Sequence, residues 1–325
     1  MTWVITGGAG YIGSHVVRAM RESGRTVVVL DDLSSGHREF VEPGVALVEG
    51  SIVDPVVVRK TLGAAAGLGG LDGVIHLAGF KYAGVSVQRP IHTFEQNVTG
   101  TAVLLEGMLE AGCKNMVFSS SAACFGTPDV DLVTEATPTN PESPYGQSKL
   151  FGEWLLRDLE VSDGLRHTSL RYFNVVGSGY PDLYDTSPHN LFPKVLAAVG
   201  AGETPIVFGT DYATPDGSCV RDYVHVQDIA LAHVAAAARL ETGQPLERVY
   251  NLGSGDGVSV LQIMDAVARV TGRPFTPEVR ERRPGDPARI VASGELARRD
   301  LDWTMRHDLD DMVASAWSAW TASRA

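Results

Sequence analysis

The sequence holds only three cysteines and no apolar run that approaches the ~20 residues of a membrane span. Its 27 Lys and Arg are outnumbered by 39 Asp and Glu. Cys113, Cys124 and Cys219 are odd in number and widely spaced, without a CxxC pair, so no disulfide framework is expected and they read as small buried residues of a reducing compartment. The formal charge of −12 opposes nucleic acid or an anionic membrane as main partner, because phosphate backbones need clustered cations. An anionic ligand would need local arginines. "MTWVITGGAG" has neither a basic leader nor a cleavage site, which gives a cytoplasmic reading. Internal repeats and low-complexity linkers are absent too.

What is present suits a core-forming protein: 325 residues, 44% hydrophobic and 20% charged, enough for one large or two coupled α/β domains. Short β-branched runs ("WVIT", "TVVVL", "VALVE", "GVIHLAG", "NMVFSS", "HTSLRYF") alternate with helix-period stretches at 11–23, 96–112 and 145–160. That order predicts an α/β fold with a doubly wound parallel, Rossmann-like sheet. Beyond 175 the pattern loosens into loops and helix-like stretches near 190–201, 226–240, 258–271 and 308–321. The division expected is a nucleotide-binding domain at 1–175 and a smaller α/β substrate-binding lobe at 176–325. The two pack as one unit, and some later elements return to the first domain.

In "WVITGGAGYIGSH", Gly7, Gly10 and Gly13 follow an apolar strand and open a helix, which leaves room for a pyrophosphate at a helix N-terminus. The spacing is GxxGxxG rather than GxGxxG, and a tight strand-to-helix turn uses glycines without any ligand. The second strand, however, ends in Asp31, about 20 residues into the unit, where a carboxylate accepts from an adenosine ribose 2′-hydroxyl. Asp31 would repel a 2′-phosphate and no arginine follows it, so NAD is favoured over NADP. The alternative for Asp31 alone is a strand-end turn residue.

"SPYGQSK" raises a chemical question. Ser143 is placed to cap a helix that begins at Pro144, which puts Tyr145 and Lys149 on one face at i and i+4. A tyrosine is a poor base at neutral pH, but a cation ~4 Å away in a medium of dielectric ~20 lowers its pKa by roughly three units. The pair is useful only in a partly dry cleft, and taken alone it reads more readily as an aromatic and a solvated lysine on a surface helix, because YxxxK is common by chance. "NMVFSSSAACFG" ends a strand in three serines, and Ser121 could hydrogen-bond both a substrate hydroxyl and the tyrosine.

GGAGYIGSH, "VIHLAGFKYAGVSVQRP", SSSA, SPYGQSK, "RYFNVVGS", "CVRDYVHVQDIA" and "RRPGD" occur together and in order. The set resembles the extended short-chain dehydrogenase/reductases, and within them the UDP-glucose 4-epimerase (UDP-galactose 4-epimerase) family, over nearly the whole chain. The resemblance implies Ser121, Tyr145 and Lys149 as the catalytic trio. It implies NAD contacts from Gly7, Gly10, Tyr11, Ile12, Gly13 and Asp31, joined by Ile52, Lys81, Gln96 and Phe173. Asn174, Asn190, Leu191 and Phe208 would hold the uridine diphosphate sugar with Arg221, Arg283 and Asp286, and Ile290 would stand beside the sugar's C2 substituent. Three positions depart from the family pattern: Ser51 stands where an aspartate is common, Gln96 where an asparagine is usual, and Phe125 where a tyrosine is typical. UDP-glucose and UDP-galactose are the implied substrates, with UDP-N-acetylhexosamines as further candidates. Homodimers through the helices at 96–112 and 145–160 are also implied, and Leu104, Leu105, Met108, Leu155 and Leu159 would serve either a dimer face or an intrachain core.

Two rival readings stay open. A sugar-nucleotide dehydratase or decarboxylase would need a carboxylate beside the serine, where Ala122 and Ala123 stand. A non-catalytic NAD-binding module would keep the glycines but has no use for Tyr145 and Lys149. Without the family, each arginine reads as a surface salt bridge. No metal is expected, since His76 and His225 read as packed histidines without a second ligand at useful spacing.

Overall fold

The computed structural model describes residues 1–283 and 286–324. Its first strand, Thr2–Thr6, is buried along its whole length, and the two-residue side-chain period sends Trp3 and Ile5 to one face and Val4 to the other. A strand apolar on both faces needs helices above and below. Six more strands complete that sheet, in the order Val249–Leu252, Arg166–Tyr172, Asn115–Ser119, Gly73–His76, Thr2–Thr6, Thr26–Asp31, Ala46–Glu49, with every neighbouring pair parallel. The chain starts in the middle and winds outward both ways. The reversal lies between Thr2–Thr6 and Gly73–His76, and the crevice above it at the carboxyl edge is where such sheets bind ligands.

Helices Tyr11–Glu22 and Val226–Glu241 cover one face, packing Val16, Val17 and Met20 together with Ile229 and Ala236 against Trp3 and Ile5. On the other face Val58 and Leu62 of Pro55–Ala66, Leu104, Leu105 and Met108 of Gly100–Glu110, and Leu156 of Pro144–Asp163 meet Val4 and Val28. Each large aliphatic side chain removed from water there contributes about 1.5–3 kcal/mol. Leu104, Leu105 and Met108 are therefore intrachain core, and the partly buried Leu155 and Leu159 pack against it. The exposed apolar residues of the helix Pro144–Asp163 are Phe151, Trp154 and Val161.

A third core, from Leu191–Ala201, Val260–Thr271 and Leu309–Ala322, joins Leu196, Val267 and Val313 in the C-terminal half. Residue 175 is not a clean spatial boundary, because Val226–Glu241 and Val249–Leu252 complete the first body. The helix expected from 96 begins at Gly100, after one π-helical turn at Glu95–Thr99. Asn97 in that turn accepts from the Phe80 amide at 2.6 Å and donates to Ser148 Oγ at 2.8 Å, tying the loop after Gly73–His76 to the helix that carries Tyr145. No helix among the described residues is long and apolar enough to cross a membrane.

Candidate active site

A cavity of about 790 Å³ opens at the carboxyl edge of the sheet, between it and the C-terminal lobe. At its floor the chain turns from Thr2–Thr6 into Tyr11–Glu22. Gly7 has φ +73°, and a Cβ there would lie 2.7 Å from the Ala78 amide nitrogen, while a Cβ on Gly13 would lie 2.0 Å from the Gly7 carbonyl oxygen. Only glycine lets the helix start so close to the strand end. A Cβ on Gly10 would meet nothing in the protein nearer than 3.3 Å. The helix opens with no side-chain cap and no acid in its first turn, so its unpaired amides suit an anion.

Asp31, at the end of Thr26–Asp31, accepts from the amides of Ala9 and Leu33, both at 2.9 Å. Burial pushes its carboxyl up, and those two amides pull against that shift. The two bonds leave acceptor capacity for a ribose hydroxyl. Ile12, Ile52 and Gln96 line the same end. Tyr11 lines it too, and its hydroxyl donates to the Gly177 carbonyl at 2.6 Å. Ser51 lines the wall beside Ile52, so no acid faces the cavity there. Lys81 reaches in from the loop after Gly73–His76; burial lowers its ammonium while Asp185 and Asp31 oppose that. Phe173 completes the wall, stacked on Phe125 with centroids 6.5 Å apart. A helix N-terminus, a glycine cradle and a ribose-level carboxylate together fit a dinucleotide.

The helix Pro144–Asp163 begins as the sequence indicates, with Ser143 Oγ accepting from the Gly146 amide at 3.2 Å and Pro144 in the first turn. This presents Tyr145 and Lys149 to the cavity beside Ser121, whose Oγ accepts from the Ala123 amide at 3.1 Å. The expected lowering of the phenol pKa is not what the residues alone produce. Burial pushes Tyr145 up to about 12, with the Ser121 hydroxyl pulling it partway back. Desolvation of the buried phenol is the dominant cause, while Lys149 Nζ donates to the Ser119 carbonyl at 2.8 Å and lies 5.9 Å from the tyrosine ring centroid. Its own ammonium is lowered to about 8 by burial. A phenolate in this site therefore needs additional positive charge close by.

The C-terminal half supplies the other end. Arg221 pairs with Asp286, and the Arg283 guanidinium lies over the Phe208 ring at 4.1 Å. Asn174 Nδ2 donates to the Asp222 carbonyl at 2.9 Å, and Asn190, which precedes Leu191, donates to Asp185 at 2.7 Å. All of these except Asp222 line the cavity. Ile290 does not; it is half-buried with Phe125, Val133 and Phe173, behind the wall rather than in it. Pro284 and Gly285 of the "RRPGD" motif lie outside the described residues. Cavity residues that sequence reasoning missed include Asp185, Tyr82, His189 and Cys219. Tyr82 lay within a quoted motif, but nothing in the sequence marked its ring partner.

A model of the NAD dependent epimerase/dehydratase family matches residues 3–253. The UDP-glucose 4-epimerase of Corynebacterium glutamicum is 42% identical over 322 residues, covering 98% of this chain and 95% of that protein. The crystal structure of UDP-glucose 4-epimerase from Brucella ovis in complex with NAD is 37% identical, covers 97% of each chain and has a TM-score of 0.91. That of Bifidobacterium longum UDP-glucose 4-epimerase in complex with NAD+ and UDP is 36% identical, with a TM-score of 0.88 over 100% of this chain and 99% of that one. The chain belongs to the NAD-dependent epimerase/dehydratase family, and NAD is its cofactor.

Proposed function

We propose that this enzyme interconverts UDP-glucose and UDP-galactose by inverting C4 of the hexose. One observation carries the reading: Tyr145, Lys149 and Ser121 share a cavity with the glycine turn at one end and Arg221 and Arg283 at the other. Gly7, Gly10, Tyr11, Ile12 and Gly13 hold the cofactor pyrophosphate. Asp31 takes the adenosine ribose, and Ile52, Lys81, Gln96 and Phe173 line the rest. When bound there, NAD supplies a reversible two-electron acceptor and, in its oxidised form, a positive charge near Tyr145.

Tyr145 as phenolate takes the proton of the C4 hydroxyl, directly or through Ser121, and later returns it. Lys149 keeps the phenolate stable. Arg221 and Arg283 grip the diphosphate bidentately, an arrangement that balances two negative charges in a protein of net negative charge. Asn174, Asn190, Leu191, Phe208 and Asp286 fix the uridine end. Held only there, the 4-keto sugar turns about its diphosphate link and presents its other face, so no net oxidation results. Ala122 and Ala123 follow Ser121, so neither of the next two positions offers the carboxylate that elimination or decarboxylation would use.

Ile290 sets the room beside C2 by backing Phe173, and UDP-N-acetylhexosamines are accepted at a lower rate than UDP-glucose. A second copy of the chain docks on the helix face that exposes Phe151 and Trp154, giving a homodimer. The deciding experiment is incubation of purified protein with UDP-galactose, without added cofactor, followed by product analysis. UDP-glucose is the expected product; a dehydrated or decarboxylated sugar as main product overturns the reading.

A further inference from the structure

In such a reaction there is a stage at which the 4-keto sugar is free at its reacting end. C4 has given up its hydrogen with two electrons, the hydroxyl proton is on Tyr145, and the sugar is held only through its diphosphate. Escape at that moment leaves the cofactor reduced and that enzyme molecule unable to start another cycle. What closes the cavity mouth therefore decides how many turnovers a molecule completes.

Four aromatic rings form a ladder in the cavity lining; His189 is exposed and Phe80, Tyr82 and His92 are half-buried, which puts the ladder where the cavity meets solvent. His189 meets Tyr82 edge to face with centroids 4.9 Å apart, Tyr82 meets Phe80 at 5.7 Å, and Phe80 meets His92 at 5.2 Å. Lys81 Nζ lies 5.5 Å from the Tyr82 centroid and Arg89 Cζ 5.9 Å from that of Phe80. Phe80, Tyr82 and His92 follow the sheet strand Gly73–His76, whereas His189 comes from the loop before Leu191–Ala201. Within this ladder, the Tyr82–His189 contact alone bridges the two sides.

Both posts are braced. The Ser187 amide and Asn190 Nδ2 donate to Asp185 at 2.9 and 2.7 Å, and the His189 amide donates to Ser187 Oγ at 3.2 Å. On the other side the Ser86 amide donates to the Tyr82 carbonyl at 2.8 Å, and Ser86 Oγ accepts from the Tyr145 amide at 3.2 Å. The turn that carries Tyr82 is thus bonded to the backbone of the proposed catalytic tyrosine. With the backbone held on both sides, passage requires only that two side chains part, and an edge-to-face pair is weak enough to open thermally.

We infer that Tyr82 and His189 form a gate across the cavity mouth that retains the 4-keto sugar while it turns over. This rests on the epimerase reading above. The pair acts on escape, not on proton transfer, so its loss has a signature that general damage lacks. In Tyr82→Ala and His189→Ala, supplied with UDP-galactose, ketose captured outside the enzyme by borotritide reduction should rise about two- to tenfold per turnover, the range such a ring pair contributes to an equilibrium. The near-ultraviolet absorbance of reduced nicotinamide retained on the protein should rise in step. Tyr82→Phe keeps the ring and should behave as wild type. The inference is overturned if both alanine variants turn over with wild-type ketose release and no extra reduced cofactor, or if they lose turnover without extra release. A wild-type protein that turns over no UDP-hexose would instead remove the epimerase reading, and the gate with it.

Discussion

The Lys149 ammonium is bonded to the Ser119 carbonyl at 2.8 Å while lying 5.9 Å from the centroid of the Tyr145 ring, one helical turn away. The lysine is thus a fixed charge, not a mobile one. Its positive charge favours the phenolate over the phenol, against the burial that pushes Tyr145 up to about 12. Tyr145 works as a base in its deprotonated form, so its pKa sets the acid limb of the pH profile.

Lys149→Met is accordingly expected to move the acid limb of kcat/KM upward by roughly one to three pH units, the range for loss of a nearby unit charge in a medium of dielectric ~20. Turnover at neutral pH falls about a hundredfold and is regained in part at alkaline pH. An acid limb that stays in place would show that the lysine acts only as a structural anchor.

Tyr145→Phe removes the proton carrier while keeping the ring in its buried slot. The expected loss in kcat is at least about a hundredfold at every pH, the scale of one positioned acid–base group. NAD content of the purified variant should match wild type, because the glycine turn and Asp31 are untouched. Near-normal turnover would remove Tyr145 from the chemistry.

Much of this site was legible because its parts are local in sequence. Gly7 to Asp31 form one strand–helix–strand unit, and Ser143 to Lys149 one capped helical turn, so spacing alone locates them. Less local features were hidden. The direction of the Tyr145 shift depends on how deeply the fold buries the phenol, and the carbonyl that anchors the Lys149 ammonium, Ser119, lies 30 residues away. Tyr82 and His189 meet only because two loops from different halves converge. The helix Pro55–Ala66 carries three successive valines, residues with weak helix propensity, yet Asp54 caps it and Val58, Leu62 and Ala65 bury one face. Tertiary burial outweighs the local preference there. Val249–Leu252 is a four-residue strand interrupted by the polar Asn251, and its place in the sheet is set by Arg166–Tyr172 beside it rather than by its own pattern.

Ile290 tests how the wall controls substrate width. Tyrosine has about four more side-chain heavy atoms than isoleucine, and an acetyl group adds about three to the substrate, so the two compete for similar volume. Because Ile290 packs behind Phe173, the larger ring has to push Phe173 inward or enter the cavity itself. Ile290→Tyr is expected to lower kcat/KM for UDP-N-acetylglucosamine at least about tenfold more than for UDP-glucose, a scale typical of steric rejection in a pocket. Equal loss on both substrates would mean that the position governs wall stability, not width.

Acid should unfold the protein through its buried histidines. His76 is bonded to Thr6 Oγ1 and Thr101 Oγ1 at 2.6 and 3.0 Å, and His15 to the Tyr11 carbonyl and Gly179 amide at 2.8 and 3.0 Å. Burial lowers His76 and His225 to about 3 and His15 and His233 to about 4. An unfolded histidine titrates near 6.5, so below that pH the unfolded chain binds more protons than the folded one, and stability falls with pH. Asp222 works the other way: burial raises its carboxyl to about 6, against bonds from the amides of Ala292 and Ser254, so here the folded state takes up the extra proton. Asp31 and Asp185, also raised by burial, oppose the histidines as Asp222 does, while buried His167 adds to them; each histidine contributes a slope of at most about 1.4 kcal/mol per pH unit. The urea midpoint should therefore be nearly flat above about pH 7 and drop steeply between about pH 6 and 4.5. His233 Nε2 has no hydrogen-bond partner, so His233→Leu removes one titrating group without breaking a bond at that atom. That variant should lose stability less steeply, by about 1.4 kcal/mol per pH unit. A midpoint that holds down to about pH 4.5 in the wild type would mean that these histidines are hydrated and titrate normally.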